Sequence, residues 1–155
     1  MLVRRLFPLM LLTVVIAVNA QSQSPVPSAD QSANQQQIQR NQKLAQAATQ
    51  VATMVDQNRM GEVWDGASNV TKQTVTRDAF VKQIASDRHI LGSVLGRSVA
   101  SVTYTQSDGR RLPPGLYANV AFATRFTNTK QTVRELVSFH FDNDHVWRVS
   151  GYTLR

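Results

Sequence analysis

The sequence predicts an α+β fold: three N-terminal helices packed on a bent four-stranded antiparallel sheet. Three observations carry that prediction. Apolar residues up to Gly96 recur at helical spacing. After Gly96 the period drops to two. Short turns join the last three alternating runs, as in a meander.

The first helix is predicted from Asn34 to near Arg59. Leu44, Ala48, Val51 and Val55 line one face, with Gln, Asn and Lys between them. A bend near Gly61 separates it from a short second helix on Met60, Val63, Trp64 and Ala67. Thr76 is the expected N-cap of the third helix, with Asp78 in its positive first turn. Phe80, Ile84, Leu91 and Val94 form its buried stripe, and Gly92 and Gly96 mark its exit.

Four strands follow. Ala100, Val102 and Tyr104 alternate with Ser and Thr, and Leu116, Val120, Phe122 and Phe126 with more polar partners. Val133, Val137, Phe139 and Phe141 repeat the pattern. Turns are expected at 127–130 and 142–144, and a longer loop, QSDGRRLPPG, joins the first two strands. In the last run, VWRVSGYTLR, strict alternation would turn Tyr152 and Leu154 away from Trp147 and Val149. A bulge at Gly151 would return all four to one face, and the run is expected to close the core from the centre of the sheet.

The N-terminus reads differently. Arg4 and Arg5 precede an apolar run from Leu6 to Val18, and Val18-Asn19-Ala20 supplies small residues for a cut after Ala20. That is the pattern of a secretory signal peptide over 1–20. The run falls short of the roughly 20 residues of a membrane-spanning helix. Residues 21–33 are Gln, Ser and Pro with little to bury and read as a disordered tether, leaving 34–155 as a single α+β domain. The chain has no cysteine, which excludes disulfides, a thiol nucleophile, a thiolate-held metal and a cysteine-linked lipid. A soluble periplasmic or secreted protein, without a stable membrane anchor after cleavage, is the expectation.

The net charge of +7 falls to +5 if Arg4 and Arg5 leave with the leader. Basic charge favours anionic partners. No Lys/Arg stripe interleaved with aromatics appears, so nucleic acid is not expected. No nucleophile elbow, P-loop or zinc-protease helix is present, and no cofactor is implied.

The order of elements resembles the nuclear transport factor 2-like superfamily, whose helices pack into a bent sheet to form a cone. More narrowly, residues from about 44 to 155 resemble an exported bacterial family, domain of unknown function 4019. Asp56 with Trp64, Arg88-His89-Ile90-Leu91-Gly92, Gly96-Arg97 and Leu112-Pro113-Pro114-Gly115-Leu116-Tyr117 carry the likeness. So do Arg134-Glu135 and Trp147-Arg148-Val149-Ser150-Gly151-Tyr152. The resemblance implies architecture and no catalytic roles; relatives of the wider fold include enzymes, carriers and interaction domains.

Glu135 is the leading site candidate. Counting by twos places its carboxylate on the face of Val133, Val137, Phe139 and Phe141, where it is costly unless paired. In a cone that face lines the pocket, and burial there favours general acid/base use. The alternative is a structural ion pair with Arg97, Arg125 or Arg148, or a place at the rim. Asp56, Trp64 and His89 would join the pocket from the helices, with His89 beside a carboxylate as base or relay. Arg97 and Tyr152 complete the candidate binding set on this side.

His140, Asp142, Asp144 and His145 offer metal-ligand chemistry, but Asp142-Asn143-Asp144 is ordinary turn chemistry and no metal is expected. Arg110 and Arg111 sit on a loop stiffened by Pro113 and Pro114, which suits an acidic protein partner or a phosphate.

Two functional readings result. The leading one is a non-enzymatic exported binding module that contacts another envelope or secreted protein, for instance as an inhibitor or immunity factor. The rival is a small-molecule pocket protein or general acid/base enzyme that holds Glu135 unpaired in a cavity. Homodimerisation through the open sheet face is compatible with both.

Overall fold

The computed structural model describes residues 29–155. Helix α1 (Ala29–Asp56) buries Leu44, Ala48, Val51, Ala52 and Val55, the predicted stripe plus Ala52. It begins five residues inside the segment read as tether. Asp30 lies in its first turn, where a carboxylate complements the exposed N–H groups. Gln37 donates to Asn41 at 3.0 Å and Arg40 to Gln37 at 2.8 Å, so polar side chains support these outer turns. The expected leader over 1–20 and the tether over 21–28 lie outside the described residues. Among the described residues no helix is long and apolar enough to cross a membrane.

Asn58 takes a left-handed conformation (φ 59°) and turns the chain into α2 (Met60–Asp65). Among the described residues there are four helices where three were predicted. The addition is α3 (Asn69–Thr74), N-capped by Ser68, whose hydroxyl accepts from the Val70 amide. Its six residues are too few to show a period in the sequence. Helix α4 (Arg77–Leu91) is capped by Thr76, which accepts from the Ala79 amide at 3.3 Å, and buries Phe80 and Ile84. Gly92 ends it at φ 77°, so Val94 lies in the first strand and not on the helix.

Strands β1 (Val94–Ser107), β2 (Gly115–Phe126), β3 (Val133–Phe141) and β4 (Trp147–Leu154) pair antiparallel in chain order. β4 is therefore an edge strand and not central. A bulge is present one residue before the expected Gly151: Ser138 pairs with Gly151 and Phe139 with Val149, which leaves Ser150 as the extra residue. Val149 and Tyr152 consequently both join the core, with Trp147 and Leu154 packed against it. β1 carries two such irregularities, at Leu95 and Ala100. The second shifts the alternation, so Arg97 and Val102 both face the side that β2 gives to Thr124 and Val120. Ala100, expected on the buried face, is exposed.

The helices cover one face of the sheet. Val120, Phe122, Val137 and Phe139 on the two central strands meet Ala48, Val51, Val55, Val63, Phe80 and Ile84. Each fully buried large apolar side chain stabilises by roughly 1.5–3 kcal/mol.

Candidate functional site

The sheet's buried face carries one polar cluster. Glu135 pairs across the sheet with Phe122 on one side and Leu154 on the other, so its side chain enters the core in the middle of β3. It is 0% exposed. Four donor groups fill its two oxygens. Arg97 donates through Nε to Oε2 at 2.5 Å and through Nη2 to Oε1 at 3.0 Å. Tyr152 donates to Oε1 at 2.6 Å and Thr124 to Oε2 at 2.7 Å.

Arg97 also bridges to Asp56, at 2.9 Å from Nη1 and 3.0 Å from Nη2. Asp56, the last residue of α1, accepts in addition from Arg88 of α4 at 2.8 Å. The guanidinium of Arg88 lies 4.6 Å from the Phe126 ring centroid, and that of Arg97 5.9 Å from Phe122. Two arginines and two carboxylates thus close a neutral network fed by α1, α4 and all four strands.

The electrostatics follow from this geometry. Burial disfavours the Arg97 charge, but its bonds to Asp56 and Glu135 outweigh that and hold the guanidinium charged beyond its ordinary range. Burial, then the Glu135 charge, pushes the Tyr152 phenol well up, so the hydroxyl stays a donor.

The structure therefore brings together Glu135, Arg97, Asp56 and Tyr152; His89 shares an open cleft of about 620 Å³ with Asp56 and Arg88 but joins no bond of the cluster, and Trp64, Arg110 and Arg111 lie outside it. His89 is exposed on the α4 surface and makes no pair with Asp56 or Glu135, whose oxygens are taken by arginines and hydroxyls. Trp64 donates its indole N–H to the Val75 carbonyl at 3.1 Å and carries Lys72 over its ring at 5.4 Å, a packing role among the helices. The acid/base expectation for Glu135 required an unpaired carboxyl in a cavity, and the ion pair with Arg97 removes that requirement's basis. Thr124 and Arg88 were not read from the sequence as members. Thr124 shares the parity of Phe122 on β2, which was the available signal.

A second polar cluster lies at the end of the sheet formed by the β3–β4 turn. His140 Nδ1 is 2.6 Å from Asp142 Oδ1. Ser68, the N-cap of α3, donates to the same oxygen at 2.5 Å, and Arg148 donates to Oδ2 at 3.1 Å. Burial would raise the Asp142 carboxyl, but hydrogen bonds with Ser68, His140 and Arg148 hold it below the usual range. Burial and the nearby Asp142 charge push the Tyr117 phenol up.

Of the four residues weighed as metal ligands, His140 and Asp142 stay together, while Asp144 and His145 take other partners. Asp144 pairs with Arg148 at 2.8 Å, and His145 (φ 62°) packs on Phe141 in the turn. Among the described residues no group of three or more His, Asp or Glu is arranged to hold a metal. His140 Nε2 is buried without a partner against Gly115, where a Cβ would meet it at 2.3 Å. Gly115 has φ 144°, so the close approach and the backbone both call for glycine there.

Pro113 and Pro114 overhang this cluster and border an open cleft of about 850 Å³ that also takes in Asn69, Lys72 and Asn143. The loop above is stiff at its base. Ser107 donates to the Leu112 carbonyl at 2.7 Å and Tyr117 to the Pro113 carbonyl at 2.9 Å. Its tip is exposed: the Arg110 side chain is 87% accessible and Leu112 51%. Arg110 meets only Asp108, at 3.1 Å, on the same loop, and Arg111 is exposed beside it.

No curated protein and no solved structure matches the chain. A family model described as protein of unknown function, DUF4019, matches residues 47–152. That span starts in α1, ends at Tyr152, and contains every member of the buried network and of the His140 cluster. The match covers well over half of the sequence, and the chain belongs to this family.

Proposed function

We propose that this chain is an exported, non-enzymatic binding module that recognises another protein of the envelope or the extracellular medium. The helices and meander would then form a cone of the nuclear transport factor 2-like type. The observation that carries the reading is the loop at 108–114. It presents Arg110, Arg111 and Leu112 outward on a base fixed by Ser107, Tyr117 and two prolines. A preorganised tip of arginine and exposed apolar surface loses little entropy on docking. Arginine is enriched among the residues that dominate interface energies. The partner's matching surface is acidic with an apolar recess. Inhibition of a secreted enzyme or toxin is one concrete form of this role.

The rival acid/base reading receives no support from the buried cluster. Glu135 has no free lone pair facing a cavity, and Asp56 is held by two arginines.

The test is a crosslinked capture from native envelope and supernatant fractions, with wild type and an Arg110→Glu/Arg111→Glu double variant as bait. A stoichiometric protein recovered by wild type and lost with the charge reversal is the expected outcome. Recovery unaffected by the reversal, or no partner at all, overturns the proposal. N-terminal sequencing of the exported protein checks the cut after Ala20.

A further inference from the structure

The sheet has two edges, and they are treated differently. β4 is covered. The Ser68 amide donates to the Val149 carbonyl at 2.9 Å and the Thr71 hydroxyl to the same oxygen at 3.3 Å, so α3 takes up part of that edge. β4 also carries Arg148, and Arg155 follows it. The backbone edge of β1 has no such hydrogen-bonded cover. Helix α1 lies against its inner face, where Tyr104 donates to Asn41 at 2.8 Å and its ring meets Trp147 at 6.0 Å, and the Ser107 side chain is tied to the following loop; but among the described residues no loop or helix hydrogen-bonds to the backbone of Val94–Ser107 beyond the β2 ladder. At 14 residues it is the longest strand, and most of its side chains are exposed.

Edges of this kind are normally blunted by lysine, proline or irregular geometry. β1 uses bulges at Leu95 and Ala100, and both fall in its first half. From Ser101 to Ser107 the register with β2 is unbroken, Ser101 opposite Ala121 through Ser107 opposite Gly115. That run, SVTYTQS, has no charge, no proline and no glycine, and is rich in strand-forming Val, Thr and Tyr. At ~3.4 Å per residue it offers roughly 24 Å of unpaired backbone.

We infer that β1 pairs antiparallel with β1 of a second copy through Ser101–Ser107, joining two four-stranded sheets into one of eight. Three features select a second copy as occupant. The run is self-complementary, as a two-fold interface requires. It is uncharged from Ser98 to Ser107 in a chain of net charge +7, so two copies meet there without the like-charge repulsion that opposes their other surfaces. Leu95 (61% exposed) and Val99 (47%) flank it and add apolar area at the seam. The interface differs from one through the open face of the sheet. It is also independent of the partner-binding reading. The two Arg110/Arg111 loops would lie at opposite ends of the seam.

Sedimentation velocity on the purified chain, from micromolar to hundreds of micromolar, tests this. Twice the chain mass is expected for wild type. Thr103→Lys/Thr105→Lys sets lysines against lysines across the two-fold, and dissociation should become easier by about tenfold or more. Circular dichroism shows whether that variant keeps its fold. Amide hydrogen exchange on wild type provides the second readout: protection at 101–107 should rise with protein concentration. A chain that stays monomeric overturns the inference and leaves the edge to a strand of another protein. A dimer that survives the lysines in a folded variant, or exchange at 101–107 independent of concentration, overturns it as well.

Discussion

Arg97→Leu is the most informative perturbation of the buried network. It leaves Glu135, which is fully buried, with two hydroxyl donors and no counter-charge. Removing one partner of a buried ion pair costs about 3–5 kcal/mol. Glu135→Leu is milder, because Arg97 keeps its two-point contact with Asp56 and its charge stays paired. The Tyr152 and Thr124 hydroxyls then lack an acceptor, which costs about 1–3 kcal/mol each at most.

In the double variant only the hydroxyl cost remains, since Asp56 retains Arg88. Arg97→Leu/Glu135→Leu is thus expected to be no worse than Glu135→Leu alone, with a coupling of about 3–5 kcal/mol. Against a typical stability of 5–15 kcal/mol, Arg97→Leu alone removes a large share, roughly 3–5 °C of Tm per kcal/mol. Urea unfolding of the four proteins measures the cycle. A loss below about 1 kcal/mol for Arg97→Leu, or a double variant as unstable as the summed singles, refutes the reasoning.

Three further outcomes are expected. Gly115→Ala should cost about 2–3 kcal/mol in urea unfolding, from a φ of 144° and a Cβ driven into His140; Gly66→Ala, whose Cβ meets nothing nearer than 3.7 Å, should stay within about 0.5 kcal/mol. Ser68→Ala should lower stability by about 1–2 kcal/mol through loss of the α3 cap and the bond to Asp142, and comparable loss from the exposed Thr74→Ala would contradict that assignment. Asp142 has a depressed folded-state pKa, so its contribution is complete above the unfolded carboxylate value of about 3.9 and is lost as pH falls through the folded value. The urea midpoints of wild type and Asp142→Asn should therefore converge below about pH 4 and separate at pH 7; a constant gap would exclude the linkage.

The sequence was legible where burial imposes a period. The stripe on α1, the Thr76 cap and the β4 bulge all follow from local pattern, because Tyr152 and Leu154 can reach the core only if one residue is skipped. Parity alone placed Glu135 inside. What parity could not supply was its partner, since Arg97 reaches the same face only through the phase of a strand whose bulges carry no glycine or proline at the extra residue. α3 was hidden by its length and is visible only through a serine cap. The His140–Asp142–Ser68 contact joins residues 72 positions apart, and no local signal announces such a meeting.

The order β1-β2-β3-β4 means that each strand can zip onto its predecessor after closing only a short loop, an inexpensive step in chain entropy. The ion network works on another timescale. Its members at 97, 124, 135 and 152 are all strand residues and meet through the sheet, whereas Asp56 and Arg88 reach them only when α1 and α4 dock. Interactions absent from the folding transition state act on the exit rate and not the entry rate. The network therefore serves as a kinetic latch. The links from Asp56 and Arg88 that tie helices to sheet would slow opening, which prolongs survival where proteolytic cleavage outpaces reclosing.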